Sequence, residues 1–486
     1  MQMHERLGLI DEVISKGPYT DTWESLCGYP VPKWYADAKF GVFIHWGVYS
    51  VPAFGNEWYP NNMYTKGTPE FKHHLKTYGE HTKFGYKDFI PMFKAEKFDP
   101  AAWMMLFSDA GAKYVMPVAE HHDGFKMYKS ELSKWNAAEM GPCRDVVGEL
   151  KAEADKYGIK LCCSNHRAEH FWFLSGGLEY PSDVIGAGYD DFYGPPHKRP
   201  ADHGSLTDAP PTEEHMRDWL VTNCEMVDKY RPYVVWFDWW IQHLSFKPYL
   251  KKFAAYYYNR AAEWGVEVAI NNKFDAYPYT STVFDIERGQ LPGIAPRLWQ
   301  NDTAIAKNSW GYTHNNEYKQ APDLAADLAD IISKNGCLLL NVGPKPDGTI
   351  TDEETQVLKD IGCWLKKTGE GVYGSECWRI YGEGPTEIPM GSFSDTDRKG
   401  FTCQDIRFTT KNGNIYAFVL KSPSDGNVEI KSLGPASHNL TTAIKQVSVL
   451  GYDVCTSFNM EDDALRIKIA EPIETEFPIC FKIEVY

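Results

Sequence analysis

Short apolar runs recur over the first three quarters of the chain, and each ends at polar or aromatic residues. Residues 115–119, for example, run into His121 and His122, and Val234–Phe237 runs directly into Asp238. The eight runs lie at 42–44, 115–119, 159–163, 234–237, 266–270, 283–284, 298–299 and 337–340. Helix-compatible stretches separate most of them, which favours parallel strands joined by right-handed crossovers. A (β/α)8 barrel carries its chemistry where its strands end, so the pattern predicts such a barrel and locates its pocket.

Two of the segments between strands have apolar residues at helical spacing. These segments are 145–157 and 322–334. Pro322 stands at the start of the second one, where a helix tolerates proline. Pro117 lies inside the second apolar run and weakens the prediction of a strand there, because proline cannot donate to a ladder.

Beyond about Trp378 the pattern changes to shorter, partly alternating runs that are separated by turn residues such as Asn412 and Gly413. These runs lie at 406–409, 415–419, 428–430, 446–449 and 479–485. Such a pattern is typical of an antiparallel β-sandwich of about 100 residues. We therefore predict a (β/α)8-like barrel over residues 1–370 and a C-terminal antiparallel β-sandwich over residues 378–486.

Composition excludes some partners. The formal charge of −16 opposes binding to nucleic acid or to anionic membranes. Aromatic residues make up 14% of the chain. This excess fits either a large core or a site that stacks on the flat faces of sugars.

The sequence also suggests a cellular compartment. The 11 cysteines are an odd number and form no C-x-x-C pair, which favours reduced thiols in a reducing compartment. Residues 1–17 lack the continuous apolar core of a signal peptide, and no stretch of about 18 apolar residues occurs. We therefore expect a cytoplasmic protein, although the sequence leaves open whether a leader was removed. Oligomeric state stays open as well.

Asp238 and Glu287 are the best-placed carboxylates. Asp238 follows a four-residue apolar run among tryptophans, where burying a carboxylate is costly unless it has a role. The alternative is that Asp238 caps the following helix. Glu287 ends the sixth run. The alternative to a catalytic role is a salt bridge with Arg288 or with a neighbouring strand-end residue. Two carboxylates at a barrel mouth are what glycoside cleavage needs, because one attacks C1 or activates water and the other protonates the leaving oxygen.

Three histidines follow the first two apolar runs. His45, His121 and His122 at one rim are typical of donors to a ligand or of metal ligands, so a metal-dependent barrel hydrolase is an alternative. Against a metal, adjacent strand residues point to opposite sides, so His121 and His122 should diverge. Glu57 and Trp58 lie in a loop soon after the first run and are further candidates for the site. The alternative is an ordinary surface loop with one buried tryptophan.

A series of longer motifs runs through the barrel region. It begins at 34–53 with W-Y-x-x-A-K-F-G-V-F-I-H-W-G-V-Y-S-V-P-A and ends at 369–374 with G-E-x-x-Y-G. Between these blocks come E-W-Y at 57–59, H-H-D-G-F at 121–125, R-D at 144–145, W-G-Y at 310–312 and L-L-L-N-V-G-P at 338–344. This series resembles the glycoside hydrolase family 29 α-L-fucosidases. The resemblance covers nearly the whole barrel, whereas the sandwich region is similar only in position and type.

The resemblance implies a retaining exo-α-L-fucosidase that removes terminal fucose from fucosylated glycans and needs no cofactor or metal. It implies that Asp238 is the nucleophile and Glu287 the acid/base, with Glu57 as the rival acid/base. The residues that it implies for holding fucose are His45, Glu57, Trp58, His121, His122 and Trp236. A non-catalytic fucose-binding protein is a further alternative, against which the two intact carboxylates argue.

The chain departs from the family pattern at three places. The third strand ends in 163–169 instead of a tyrosine-rich segment, so we expect His166 to replace a ligand-binding tyrosine. Lys273 stands where many members have arginine. Gln300 follows Trp299 where many members have glutamate, which removes one rival acid and favours Glu287.

Overall fold

The computed structural model of the chain describes residues 3–186, 188–202, 204–395 and 399–486, and its larger part is a closed parallel barrel. The barrel strands are β1 (Phe40–Ile44), β2 (Tyr114–Glu120), β3 (Lys160–Leu161), β4 (Cys163–Asn165), β5 (Val234–Phe237), β6 (Ala269–Asn272), β7 (Val283–Glu287), β8 (Trp299–Ala304) and β9 (Gly336–Val342). Pairing follows the order β1-β9-β8-β7-β6-β5-β4-β2-β3, and pairing of β1 with β2 closes the barrel. Because β3 and β4 are two parts of one interrupted strand, each of the eight apolar runs supplies one barrel strand. The predicted barrel is confirmed.

The helices are α1 (Met3–Lys16), α2 (Trp23–Leu26), α3 (Lys33–Ala38), α4 (Tyr59–Asn62), α5 (Pro69–Thr77), α6 (Pro100–Asp109), α7 (Val146–Tyr157), α8 (His170–Phe173), α9 (Asp190–Tyr193), α10 (Glu213–Tyr230), α11 (Lys247–Trp264), α12 (Ala321–Ser333) and α13 (Asp352–Val372). Both predicted helices are present, as α7 and α12. The connections from β6 to β7 and from β7 to β8, residues 273–282 and 288–298, contain no helix. Strands β6, β7 and β8 are therefore joined by loops alone.

Pro117 lies inside β2, so the strand predicted there is present despite the proline. It stands opposite Ile44 in the pairing of β2 with β1. On its other side, β2 pairs with β3 up to Leu161 and with β4 from Ser164 onward. The gap between these pairings accommodates Pro117, which has no N–H to donate.

Alternation along the strands divides the apolar residues between two layers. In β1, Val42 and Ile44 pack in the large cluster shared with the surrounding helices, whereas Phe43 packs in a smaller cluster with Met116 and Trp236 from other barrel strands. This period of two is the expected geometry of a strand with both faces buried. The inward-facing stacks end at the carboxyl ends of the strands, where polar side chains replace apolar ones.

The C-terminal part forms two antiparallel sheets. Its strands are β10 (Glu376–Glu383), β11 (Ile406–Lys411), β12 (Asn414–Val419), β13 (Asn427–Ile430), β14 (Ile444–Val449), β15 (Thr456–Met460), β16 (Leu465–Ile469) and β17 (Ile479–Val485). One sheet has the order β10-β11-β12-β17-β14, the other β13-β16-β15, and both contribute to one apolar core. The predicted sandwich is confirmed. The edge strands β10 and β15 have no buried residue, so no apolar run marked them in the sequence.

A buried charge cluster joins the C-terminal sheet to the barrel. Arg407 in β11 donates from Nε to Asp330 in α12 at 2.5 Å, and Lys334 donates to the other carboxylate oxygen at 2.6 Å. All three side chains are buried. Removing one partner from such a cluster leaves a buried charge uncompensated, so the cluster ties the position of β11 to that of the barrel.

Two global features bear on the environment of the protein. Among the described helices, none is long and apolar enough to cross a membrane. All eleven cysteines lie in the described ranges and are free thiols. The expected cytoplasmic location stays a prediction.

Candidate active site

A cavity of about 520 Å³ lies at the carboxyl ends of the barrel strands. All nine residues that the sequence predicted for the site line this cavity: His45, Glu57, Trp58, His121, His122, His166, Trp236, Asp238 and Glu287. The cavity is also lined by Asn56, Asn62, Trp239, Lys273, Phe274, Asp302, Trp310 and Phe393. A concave pocket with aromatic walls and a few convergent polar groups is typical of a small-molecule site.

Asp238 directly follows β5 and accepts hydrogen bonds on both carboxylate oxygens. His166 Nδ1 and His122 Nε2 lie 3.0 and 3.3 Å from Oδ2. Lys273 and the backbone N–H of Trp239 donate to Oδ1 at 2.9 and 2.8 Å. Burial raises the pKa of Asp238, but Lys273 and the two histidines more than offset it and hold the pKa well below the usual range. Asp238 is therefore an oriented, ionised carboxylate and does not cap a helix.

Lys273 joins the two predicted catalytic carboxylates. Its Nζ lies 2.9 Å from Asp238 Oδ1 and 2.5 Å from Glu287 Oε2. The separation of those two oxygens therefore cannot exceed the sum of these two contacts. Glu287 pairs with Lys273 across the β6 and β7 ends, whereas the alternative partner, Arg288, donates to backbone carbonyls of the segment that follows β8.

The Glu287 carboxyl can be protonated near physiological pH. Burial raises its pKa, Lys273 opposes the rise, and Asp302 and Asp238 add to it, so the pKa lies at about 7. Asp302 stands opposite Glu287 in the β7–β8 pairing. Burial and the neighbouring Asp285 carboxyl raise the pKa of Asp302 well above its usual range, as expected when two adjacent buried carboxyls share a proton.

His122 is a charged donor, and a buried carboxyl supports it. Its Nδ1 lies 3.0 Å from the His166 carbonyl oxygen and 3.7 Å from Glu169. Burial lowers the pKa of His122, but Glu169 and Asp238 more than offset this and raise it to about 9. His166 differs, because burial outweighs Asp238 and lowers its pKa to about 4. A neutral His166 that donates to Asp238 from Nδ1 accepts at Nε2 from the Ser164 hydroxyl, 3.1 Å away.

Asn341 in β9 fixes the orientation of His45. Asn341 Oδ1 accepts from the His45 backbone N–H at 3.0 Å and lies 2.7 Å from His45 Nδ1. Burial, reinforced by His166, lowers the pKa of His45 well below its usual range, so the ring is neutral. A neutral ring that donates from Nδ1 has an acceptor lone pair on Nε2, which is available to a ligand.

The expected divergence of His121 and His122 was wrong. Strand β2 ends at Glu120, and the chain then turns, so strand alternation no longer applies and both rings line the cavity, 4.4 Å apart. Burial and the neighbouring histidines lower the pKa of His121 well below the usual range. Two groups in the described chain have the spacing to hold a metal ion: His45, His121 and His166, and His122, His166 and Asp238. In the second group both histidines already donate to Asp238.

Glu57 lines the same cavity and contacts the segment that follows β8. Its Oε2 accepts from the Ser309 hydroxyl at 3.1 Å and from the Trp310 backbone N–H at 2.8 Å. Trp310 packs against His45, with ring centroids 5.0 Å apart. Trp58 packs against His122 at 5.4 Å. Glu57 thus organises the segment after β8, and its loop forms part of the pocket wall.

Several lining residues were not among the predicted site residues. Asp302 and Lys273 follow apolar runs, so the rule that predicted Asp238 could have found them. Asn341, which orients His45 without lining the cavity, follows such a run too. Phe274 and Phe393 carried no signal, because an isolated phenylalanine in a loop is indistinguishable from a core residue in sequence.

Comparison with known proteins agrees with this geometry. The sequence profile described as alpha-L-fucosidase matches residues 9–370, and the profile described as alpha-L-fucosidase C-terminal domain matches residues 399–484. The chain belongs to the α-L-fucosidase family. It is therefore an enzyme of the glycoside hydrolase class.

Relatives with this activity span nearly the full chain. Plasma alpha-L-fucosidase of Homo sapiens is 31% identical over 427 residues, covering 84% of this chain and 80% of that protein. The alpha-L-fucosidase of Branchiostoma floridae is 30% identical over 444 residues, covering 89% and 87%. The crystal structure of Thermotoga maritima alpha-fucosidase in complex with fucose matches with a TM-score of 0.74 at 30% identity, covering 96% of this chain and 100% of that chain. The similarity to α-L-fucosidases thus extends from the barrel motifs to the whole fold.

Proposed function

We propose that this enzyme is a retaining exo-α-L-fucosidase that hydrolyses terminal α-L-fucose from fucosylated glycans by double displacement. Asp238 attacks C1 of the fucosyl unit while Glu287 protonates the departing glycosidic oxygen. Glu287, now a carboxylate, then takes a proton from the water that attacks C1 and releases fucose with its original anomeric configuration. The observation that carries this proposal is the shared contact of Asp238 and Glu287 with Lys273.

The spacing of the two carboxylates supports double displacement. Retaining glycosidases hold their carboxyl groups about 5–5.5 Å apart, and inverting enzymes hold them about 6.5–9.5 Å apart to fit a water. Oxygens of Asp238 and Glu287 lie 2.9 and 2.5 Å from one lysine nitrogen, so these two oxygens are too close for the inverting arrangement.

The protonation states support the assignment of roles. The nucleophile must be ionised, and the pKa of Asp238 lies well below its usual range because of Lys273 and two histidines. The acid must hold a proton in the free enzyme, and burial raises the pKa of Glu287 to about 7. Glu57 is the rival acid, but no direct contact joins it to Lys273 or Asp238 among the contacts of the described residues.

The polar groups of the pocket fit a sugar with several hydroxyl groups. His45 offers an acceptor at Nε2, and the buried Nδ1 atom of His121 and the buried indole N–H of Trp236 have no hydrogen-bond partner in the described chain. We propose that these three, together with Glu57 and Trp58, bind the fucose ring. His122 and His166 use their N–H groups on Asp238, so we propose that they mainly orient the nucleophile.

The domain boundaries and location are proposals of the same kind. We propose that residues 1–370 form the catalytic domain and residues 378–486 the β-sandwich, since α13 ends at Val372 and antiparallel pairing begins with β10. A cytoplasmic location is proposed from the free cysteines alone.

The first test of this function is turnover. We expect 4-nitrophenyl α-L-fucoside to be hydrolysed, and the rate to be unchanged after exhaustive dialysis against a chelator. Loss of activity that added zinc or manganese restores would favour a metal-dependent hydrolase. Saturable fucose binding with no turnover would favour a non-catalytic fucose-binding protein.

The raised pKa of Glu287 predicts the basic side of the pH profile. The acid form is required for the first step, so its fraction falls as pH rises through the pKa, and kcat/KM should decline above an apparent pKa of about 7. The acid side should stay flat to much lower pH, because the pKa of Asp238 is low. In Glu287→Ala, assayed with a fucoside of a strongly acidic phenol, this decline should disappear. A decline near neutrality that survives in Glu287→Ala would contradict the assignment.

A further inference from the structure

Two phenylalanines at the rim of the cavity are exposed in strained backbone conformations. Phe274, directly after Lys273, is 56% exposed with φ at 51°, and Phe393 is 61% exposed with φ at 57°. The left-handed region is costly for a bulky side chain, and water-exposed rings gain nothing from burial. Both residues line the active-site cavity, and Phe274 also borders a neighbouring cavity. Exposed apolar groups and backbone strain at a cleft are each typical of ligand contact.

Phe393 comes from outside the barrel. It lies between β10 and β11, and its backbone N–H donates to the carbonyl oxygen of Glu287 at 2.9 Å. The next two backbone N–H groups, of Ser394 and Asp395, donate to the carbonyl oxygen of Arg288 at 2.8 and 3.0 Å. The C-terminal part of the chain is thus bonded to the strand end that carries the proposed acid.

The segment 390–395 is firmly attached at this position. The Asp395 carboxylate accepts from Lys319 and from the Thr303 hydroxyl, and it lies 3.7 Å from Arg288. Gly289 permits the close approach, because a Cβ there would lie only 1.8 Å from the carbonyl oxygen of Gly391. The position of Phe393 is therefore set by the backbone of residues 287–288, by Thr303 of β8 and by Lys319 in the chain after it.

The attachment of Phe274 and Phe393 near Glu287 indicates which part of the substrate they would contact. The proposed acid protonates the oxygen that leaves, so the group that departs with this oxygen must lie beside the Glu287 carboxyl. Lys273, which precedes Phe274, also contacts that carboxyl. Phe393 is bonded to the backbone of Glu287, and Phe274 follows the lysine that contacts the Glu287 carboxyl, so both line the cavity next to the proposed acid.

We infer that Phe274 and Phe393 form an aglycone subsite that stacks on the apolar face of the sugar to which fucose is attached, and that the C-terminal domain supplies half of it. This inference rests on the proposed function. Asp395 is a positioning residue in this subsite, because it acts by holding Phe393. The occupant is a pyranose ring, since its C–H face matches an exposed aromatic ring and its hydroxyl edge stays in solvent.

The test compares two substrates that differ in the aglycone. α-L-Fucosyl fluoride has no aglycone ring, whereas fucosyl-galactose and fucosyl-N-acetylglucosamine have one, and the faster of these two is used. In Phe393→Ala we expect kcat/KM for the disaccharide, divided by that for the fluoride, to fall about tenfold. Phe393→Trp should restore most of the ratio. Met390→Ala, on the same segment but outside the cavity and 75% exposed, should leave the ratio unchanged.

Asp395→Asn provides a second arm. It should lower the same ratio, and adding it to Phe393→Ala should cause little further loss, because both changes remove one contact. A ratio that is unchanged in Phe393→Ala, or a loss that is equal for both substrates, would overturn the inference. Multiplying effects in the double variant would overturn the role of Asp395. Failure of the unmodified enzyme to hydrolyse the fluoride would refute the proposed function itself, which separates the two failures.

Discussion

Asp238→Asn should lower kcat for every fucoside by at least about 10⁴-fold, as removal of a nucleophile does in other hydrolases. The asparagine keeps the size of the side chain but cannot form the glycosyl-enzyme. The fold should persist, since Lys273 keeps Glu287 as a partner. Steady-state kinetics measure the loss, and calorimetric titration with fucose checks that the pocket still binds.

Azide tests whether that loss is specific to the nucleophile. In Asp238→Gly, azide fits the vacated space and should attack C1 directly, which yields β-L-fucosyl azide. Rates within about tenfold of the unmodified enzyme in Asp238→Asn would show that another residue attacks C1. The same holds if azide neither accelerates Asp238→Gly nor gives this product.

Glu287→Ala should have an effect that depends on the leaving group. Protonation matters least when the leaving group is already good, so fucosyl disaccharides should slow by about 10²–10⁴-fold, and fucosides of strongly acidic phenols much less. Hydrolysis of the glycosyl-enzyme is then slow, because the general base is also missing. Azide should intercept the glycosyl-enzyme and yield α-L-fucosyl azide, which NMR distinguishes from the β-anomer.

Glu57→Ala is the matched comparison for this experiment. Glu57 lines the same cavity, but it accepts from Ser309 and Trp310, and no hydrogen bond or ion pair among the described residues joins it to Lys273. Its loss should weaken fucose binding and slow activated and natural substrates alike. If the leaving-group dependence and the α-azide product appear in Glu57→Ala instead, Glu57 is the acid/base.

The sequence predicted the strands of the barrel and the residues at their ends for one physical reason. A buried parallel strand is a continuous apolar run, and the polar residues that follow it lie toward the barrel mouth. Asp238, Glu287 and His45 were found in this way. Pro117 weakened the prediction of β2, because the interrupted pairing that accommodates it has no signature in the sequence.

Contacts between distant segments could not be predicted. The strand-end rule places Lys273 at the rim, but it does not reveal that its one nitrogen contacts both Asp238 and Glu287. His121 and His122 converge because the chain turns directly after β2, and sequence gives turn positions only loosely. Phe393 lies over 100 residues beyond Glu287, and only the docking of the C-terminal part brings the two together.

The anomeric configuration of the first product tests the central claim most directly. Proton NMR of the reaction of the unmodified enzyme with 4-nitrophenyl α-L-fucoside should record the product before mutarotation. Double displacement through Asp238 predicts α-L-fucose as the first-formed sugar, with the β-anomer rising only later. β-L-Fucose as the first product would contradict the covalent intermediate and the proposed mechanism.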